Sequence, residues 1–277
     1  MELRTLEHTP LAEITAAFNE AFSDYFIPLR FTEEGMAAKI KGEGIVPAFS
    51  VGAFDDGQLV GFILHGYDVV DGVKTIYNAG TGVVPSGRGA GLTSALYRYS
   101  IPLLKEKGIY THLLEVIDNN FTAKKIYDSI GFKTVRKLSA FRSAAPIEAA
   151  SFFAIRPVDA LPDTSAFTAM QPAWQNATTA INRDREGHCL LGAFDGETMV
   201  GYAACVLASG RVKQAGVLPA FRRKGMGTAL FRHMQQLCSA QLVVTNVDDH
   251  YEPAIHFLES LGFQKLLGLY EMQMKLS

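Results

Sequence analysis

Apolar positions recur along this chain in two rhythms. Leu11, Ile14, Phe18 and Phe22 follow helical spacing, which puts them on one face of a helix. Phe49 to Phe54, Leu59 to His65 and Thr75 to Val84 are short apolar runs separated by turn-forming residues, and they predict three successive strands. Leu92, Ala95, Leu96 and Tyr99 return to the helical rhythm. Pro102 is expected to kink or end that helix, because its ring removes a backbone donor. Leu113 to Ile117 reads as a buried strand, and Ala123, Ile126, Tyr127 and Ile130 as one face of a short helix. Hairpins followed by a strand–helix–strand crossover predict an α/β fold, with a mixed, mostly antiparallel sheet flanked by helices.

The same order appears twice. VGAFDDGQLVGF from Val51 returns as LGAFDGETMVGY from Leu191, an offset of 140 residues. VVPSGRGAGLTSALYR from Val83 returns as VLPAFRRKGMGTALFR from Val217, at 134, and IYDSIGF (Ile126 to Phe132) as FLESLGF (Phe257 to Phe263), at 131. Three blocks in one order with shrinking offsets indicate a duplication with loop deletions in the second copy. Two periods are too few for a solenoid. The 277 residues are therefore expected to form two tandem domains, 1–145 and 151–277, with the boundary between Ser143 and Ser151 around Pro146.

Composition narrows the setting. With 48% hydrophobic and 19% charged residues the chain can fill globular cores, and a net charge of −2 gives no electrostatic reason to bind nucleic acid or an anionic membrane. No apolar run reaches membrane-spanning length, and the start does not read as a signal peptide. Cys189, Cys205 and Cys238 are odd in number and lack a CxxC spacing, which speaks against a disulfide framework and a zinc site. A cytoplasmic protein without a metal is the expectation.

Between a strand and a helix lies Pro85-Ser-Gly-Arg88-Gly89-Ala90-Gly91-Leu92-Thr93, echoed by Pro219-Ala-Phe-Arg222-Arg-Lys-Gly225-Met-Gly227. Glycines let successive N–H groups converge on an anion at the positive end of the following helix, as a pyrophosphate requires. Taken alone, the loop serves equally well as a tight strand-to-helix turn. It lacks the GxxxxGK[ST] of a Walker loop and does not fit GxGxxG.

A V-x-P strand end, R-x-x-G-x-G/A opening a helix, and N-x-x-A-x-x-x-Y before Gly-Phe together resemble the GNAT acetyltransferases. The first copy supplies Val83 to Thr93, then Asn120, Ala123, Tyr127, Gly131 and Phe132, with Thr93 where Gly or Ala is usual. The second keeps Arg222, Gly225 and Gly227 but has Tyr251 and Leu258 in place of the Asn and Tyr.

The resemblance implies acetyl-CoA as cosubstrate, an amine of a small molecule or peptide as acceptor, and N-acetyl transfer as the reaction. It implies a CoA site at Val83, Val84, Arg88, Gly89, Ala90, Gly91, Leu92, Thr93 and Asn120, and a second at Val217, Arg222, Gly225 and Gly227. Arg88 would meet phosphate. The strand Asn78 to Val84 would pair with the pantetheine arm, with Gly80 and Gly82 allowing a bulge and close approach. An N–H near Val83 would hold the thioester oxygen, and Tyr127 would return a proton to the leaving thiolate. Spacing alone would make Tyr127 an aromatic of the buried stripe, and Asn120 a helix cap. Glu115, then His65, are candidates for the general base. Phe22 to Leu29 would flank the acceptor. Loss of Tyr at Leu258 assigns transfer to the first copy. A catalytically silent CoA-binding scaffold, or an acyltransferase with another donor, are the competing readings.

Overall fold

The computed structural model describes residues 1–25, 29–148 and 153–276. They form two compact units, Met1–Val135 with Tyr270–Ser277, and Arg136–Leu269. In the first, β1 (Glu2–Thr5) is followed by α1 (Leu11–Ala21), α2 (Glu33–Glu43), β2 (Val51–Asp55), β3 (Gln58–Val70), β4 (Val73–Val83), α3 (Leu92–Glu106), β5 (Thr111–Ile117), α4 (Phe121–Ile130) and the start of β6 (Lys133–Ser143). Strands β1 to β4 are antiparallel neighbours and β5 runs parallel to β4. The second unit repeats the plan with β7 (Ala154–Pro157), α5 (Thr178–Arg183), β8 (Cys189–Asp195), β9 (Thr198–Val206), β10 (Arg211–Val217), α6 (Met226–Leu237), β11 (Val243–Asp248), α7 (Glu252–Ser260) and the start of β12 (Phe263–Lys275). Here β7 to β10 are antiparallel and β11 is parallel to β10. Two tandem units, each with mixed strand pairing flanked by helices, are the architecture the sequence predicted.

The units differ from the expected halves in their last strand. The first unit closes with Tyr270–Ser277, the end of β12, where Leu276 N–H donates to Tyr110 O at 2.8 Å. The second closes with the end of β6, antiparallel to β11. Each unit is thus completed by a strand segment belonging to the other half of the sequence. Met272, Met274 and Leu276 accordingly sit in the first core, with Leu96, Tyr97, Leu114 and Phe132. Phe141 and Ile147 sit in the second, with Leu230, Val247 and Phe263.

Two elements were not expected, β1 and α2. The latter buries only Met36 fully and so leaves little apolar rhythm, but Thr32 Oγ1 caps it by accepting from Gly35 N–H, and Gly44 ends it in the left-handed conformation. Helix α3 does not end at Pro102. It continues to Glu106, since Leu96 and Leu104, on either side of the proline, are both anchored in the core and hold the axis through the missing hydrogen bond.

Candidate functional site

Parallel pairing between β4 and β5 lasts only from Thr75–Thr111 to Tyr77–Leu113, after which the strands part. The residues that follow on β4 line one side of a wedge-shaped opening. A β-bulge helps to create it. Leu64 pairs with Gly80 and His65 with Asn78, leaving Ala79 unpaired, and a bulge adds local twist. Val84 N–H is spent on Val60 O at 3.0 Å, and because backbone donors alternate between strand edges, the N–H of Val83 points into the opening.

The loop at the wide end presents backbone donors. Gly89 and Gly91 adopt φ of +82° and +70°, and the space where their side chains would stand is open. Among the described residues the N–H groups of Gly89, Ala90, Gly91, Leu92 and Thr93 meet no acceptor, whereas Gly87 and Arg88 donate to Val84 and Pro85. Leu92 is itself buried in the core, so at that position the backbone alone is available. The residues present therefore fit a pyrophosphate held by backbone donors at the start of α3.

Arg88 behaves differently from the expectation. Its guanidinium makes a two-pronged bridge to Asp24, at 2.6 and 2.8 Å, and also donates to Ala21 O and Val83 O. That contact holds the Asp24 carboxyl below its ordinary range and the guanidinium above its own. The second copy repeats the posture, with Arg222 donating to Val217 O and Phe167 O. In both copies the arginine side chain pins the strand end to the segment preceding β2 or β8. Gly80 and Gly82 likewise make room for the chain itself. A side chain at Gly82 would stand 2.6 Å from Phe62 and one at Gly80 3.2 Å from Phe18, the aromatic cluster that continues through Phe22 and Phe31.

Beneath the opening, four polar side chains converge. Asn78 Oδ1 accepts from Gly80 N–H at 3.0 Å, and its Nδ2 donates to Thr81 Oγ1 and Tyr97 Oη, both at 2.8 Å. Tyr127 joins them, its ring edge-on to Tyr97 at 6.0 Å and to Phe132 at 5.9 Å. Burial pushes its hydroxyl up to about 12, offset in part by Thr81, so the proton is retained at neutral pH. Asn120 caps α4 through Ala123 N–H at 3.1 Å and also reaches Tyr25 Oη at 3.4 Å. Tyr25 belongs to the segment Phe22 to Leu29 singled out for the acceptor; residues 26–28 lie outside the described residues.

The two base candidates lie on opposite faces. Glu115 is half-buried and alternates with Leu114 and Val116, which point into the core, so it faces the other side of the sheet. His65 is fully buried, its Nδ1–H donating to Phe49 O at 2.8 Å and its ring 4.9 Å from His112. Loss of hydration lowers its pKa to about 4. It is out of reach of an amine arriving from solvent.

The matching bulge in the second unit, where Cys205 pairs with Val212 and Ala204 with Gln214, fixes the correspondence of the copies. Val212 stands for Asn78, Ala215 for Thr81, Phe231 for Tyr97 and Leu258 for Tyr127. The whole polar set has become apolar. Parallel pairing of β10 and β11 ends at Val212–Val244, and beyond it the gap is bridged by Asn176. Asn176 O accepts from Gln214 Nε2 at 2.6 Å, and Asn176 Nδ2 donates to Thr245 O at 2.9 Å. The loop survives, with Arg223 and Gly225 at φ of +61° and +85°.

A family model described as the acetyltransferase (GNAT) family matches residues 11–132 and again 153–263. The chain belongs to that family. No protein of curated function matches it in sequence. Among solved structures, this GNAT chain is similar over its whole length to a tandem GNAT protein from the clavulanic acid biosynthesis pathway, with 15% identity, 98% of that chain covered and a TM-score of 0.73. A putative acetyltransferase from Pyrococcus horikoshii gives 12% identity over 99% of this chain and 89% of the other, at 0.71. A GCN5-related N-acetyltransferase from Sphaerobacter thermophilus gives 15% over 99% and 95%, at 0.66. At such identities the likeness concerns the fold. No helix among the described residues is long and apolar enough to cross a membrane.

Proposed function

We propose that the first unit is an N-acetyltransferase, moving the acetyl group of acetyl-CoA to a primary amine of a small molecule or peptide. The second unit is a CoA-binding or structural partner. The observation that carries this reading is the contrast between copies. Asn78, Thr81, Tyr97 and Tyr127 surround the opening of the first, while Val212, Ala215, Phe231 and Leu258 replace them all in the second, whose gap Asn176 crosses.

Acetyl-CoA, when bound, supplies an acyl carbon already activated as a thioester. The chain supplies the rest. The N–H groups from Gly89 to Thr93 hold the pyrophosphate, and Val83 N–H donates to the negative charge that develops on the acyl oxygen. Tyr127 gives its proton to the leaving sulfur, and Glu115, on the opposite face of β5 from the core, takes the proton of the incoming ammonium.

Tyr127→Phe should keep CoA binding in calorimetry yet lose on the order of 10²-fold in turnover against a panel of primary amines, the range for a general acid. Gly225→Glu should leave turnover intact in a folded protein. Activity that survives Tyr127→Phe but disappears in Gly225→Glu would put the chemistry in the second unit.

A further inference from the structure

Arg88 links parts of the first unit that are far apart in sequence. Its Nε donates to Val83 O at 3.2 Å and its Nη2 to Ala21 O at 2.9 Å, while Nη1 and Nη2 together grip the Asp24 carboxylate at 2.6 and 2.8 Å. Four of the N–H donors of the guanidinium are thus directed at the protein itself, which leaves one. Val83 is the residue whose N–H faces the opening, so one side chain ties that strand end to the segment following α1.

That segment is also held by its own surroundings. Asn19 Nδ2 donates to Phe31 O and Asn19 Oδ1 accepts from Phe31 N–H, both at 2.8 Å, so the residues flanking the segment are clamped together. Ser23 N–H and Tyr25 N–H donate back to Glu20 O and Phe22 O. Tyr25 meets Phe22 edge-on at 5.1 Å and accepts from Asn120 Nδ2 at 3.4 Å, an amide whose orientation is set because its Oδ1 accepts from Ala123 N–H. Consecutive residues therefore dock on Arg88 and on Asn120. Arg88 follows β4 and Asn120 follows β5, the two strands that part to form the opening, so the segment spans it at the Val83 end.

We propose that Asp24 is a positioning residue for the amine acceptor, fixing Phe22 to Tyr25 against the strand end where the acyl group is received. The inference rests on the reading of the first unit as an N-acetyltransferase. Stability is a weak reason for the pair, because the Arg88 and Asp24 side chains are 41% and 62% exposed and exposed ion pairs add little. The second unit separates the two tasks of the arginine. Arg222 keeps both backbone contacts, to Val217 O at 3.0 Å and Phe167 O at 2.8 Å, but the residues after Phe167 are Thr168, Ala169, Met170 and Gln171, with no carboxylate among them. Pinning the strand end needs only the arginine. The carboxylate accompanies the polar set around the first opening and is missing where that set is apolar.

The test compares Asp24→Asn and Asp24→Glu with the natural chain, using the primary amine of the panel that gives the highest turnover. Asp24→Asn keeps the side-chain shape and removes the charge. It should lower kcat/KM for that amine by about tenfold, while KM for acetyl-CoA, calorimetric CoA affinity and the urea midpoint stay unchanged. Asp24→Glu, which restores the carboxylate, should recover part of the loss. In hydrogen exchange of the full chain, the amides of Ser23 and Tyr25 should exchange severalfold faster in Asp24→Asn, and those of α3 should not. An unchanged kcat/KM for the amine overturns the inference. So does a loss that falls equally on acetyl-CoA, an Asp24→Glu no better than Asp24→Asn, or unchanged exchange at both amides. Absence of turnover with every amine of the panel, in a chain that binds CoA, overturns the transferase reading, whereas turnover crippled by Tyr127→Phe but untouched by Asp24→Asn removes this inference alone.

Discussion

His112 has no hydrogen-bond partner for either ring nitrogen among the described residues, and His65 has none for Nε2, although both are fully buried. Their rings lie 4.9 Å apart under α3, with Tyr97 as the titratable neighbour from that helix. Protonating either would place a charge in the core, so desolvation lowers both pKa values, His65 to about 4 and His112 well below its ordinary 6.5. The unfolded chain takes up protons first. The stability these neutral imidazoles allow is therefore present above pH 6.5 and is lost as the pH falls toward 4. His65 alone accounts for on the order of 3 kcal/mol across that window. Urea unfolding at pH 7.5 and 4.5 should show the drop. His112→Leu, copying Leu242 at the equivalent place, should make it shallower; an equally steep loss in the variant would mean that other groups govern acid stability. Individual residues were legible in the sequence only where a local motif carried them, as with Tyr127 and the loop glycines. Arg88 was expected to meet phosphate, but its guanidinium is paired with Asp24, 64 residues away, and no local pattern announces the pair. Asn78, Thr81 and Tyr97 were missed. Their signal was present in the comparison of copies, but it becomes readable only once the bulge at Ala79 fixes the register.

Loop and helix in each copy are matched to the helix that packs beside them. A side chain at Gly227, near the start of α6, would stand 2.9 Å from the ring of Phe257 on α7. In the first copy the corresponding positions hold Thr93 on α3 and Ile126 on α4, a larger residue on the first helix and a smaller one on the second. The departure from the usual small residue at Thr93 thus has its compensation in the other helix. Gly227→Thr should destabilise the second unit by about 1–3 kcal/mol through overpacking. Adding Phe257→Ile should recover part of that loss, visible as a favourable coupling in a double-mutant cycle of denaturant midpoints. Additive losses would show that the two positions do not share the space. At this scale the sequence was read well wherever apolar rhythm was strong. It failed at α2, whose single fully buried residue leaves capping as the remaining sign, and at the end of α3, where tertiary packing overrides Pro102.

At the scale of the molecule, the duplication is visible in the sequence but the exchange of closing strands is not, since both copies carry the same strand pattern at their ends. The consequence is a dependence of the first unit on the last residues of the chain. Met272, Met274 and Leu276 are buried in the first core, and at about 2 kcal/mol each their burial rivals the whole stability of a small domain, roughly 5–15 kcal/mol. A fragment of residues 1–145, the natural cut by sequence similarity, would lack them and should fail to unfold cooperatively. In the full chain, Met272→Asp puts a carboxylate where the side chain has no exposed surface, a change expected to cost about 3–5 kcal/mol. Hydrogen exchange should then accelerate in β2 to β5, far along the sequence from the substitution, while β8 to β10 keep their protection. A cooperatively folded 1–145 fragment, or faster exchange confined to β8 to β10, would show that the strand following Leu269 does not complete the first core.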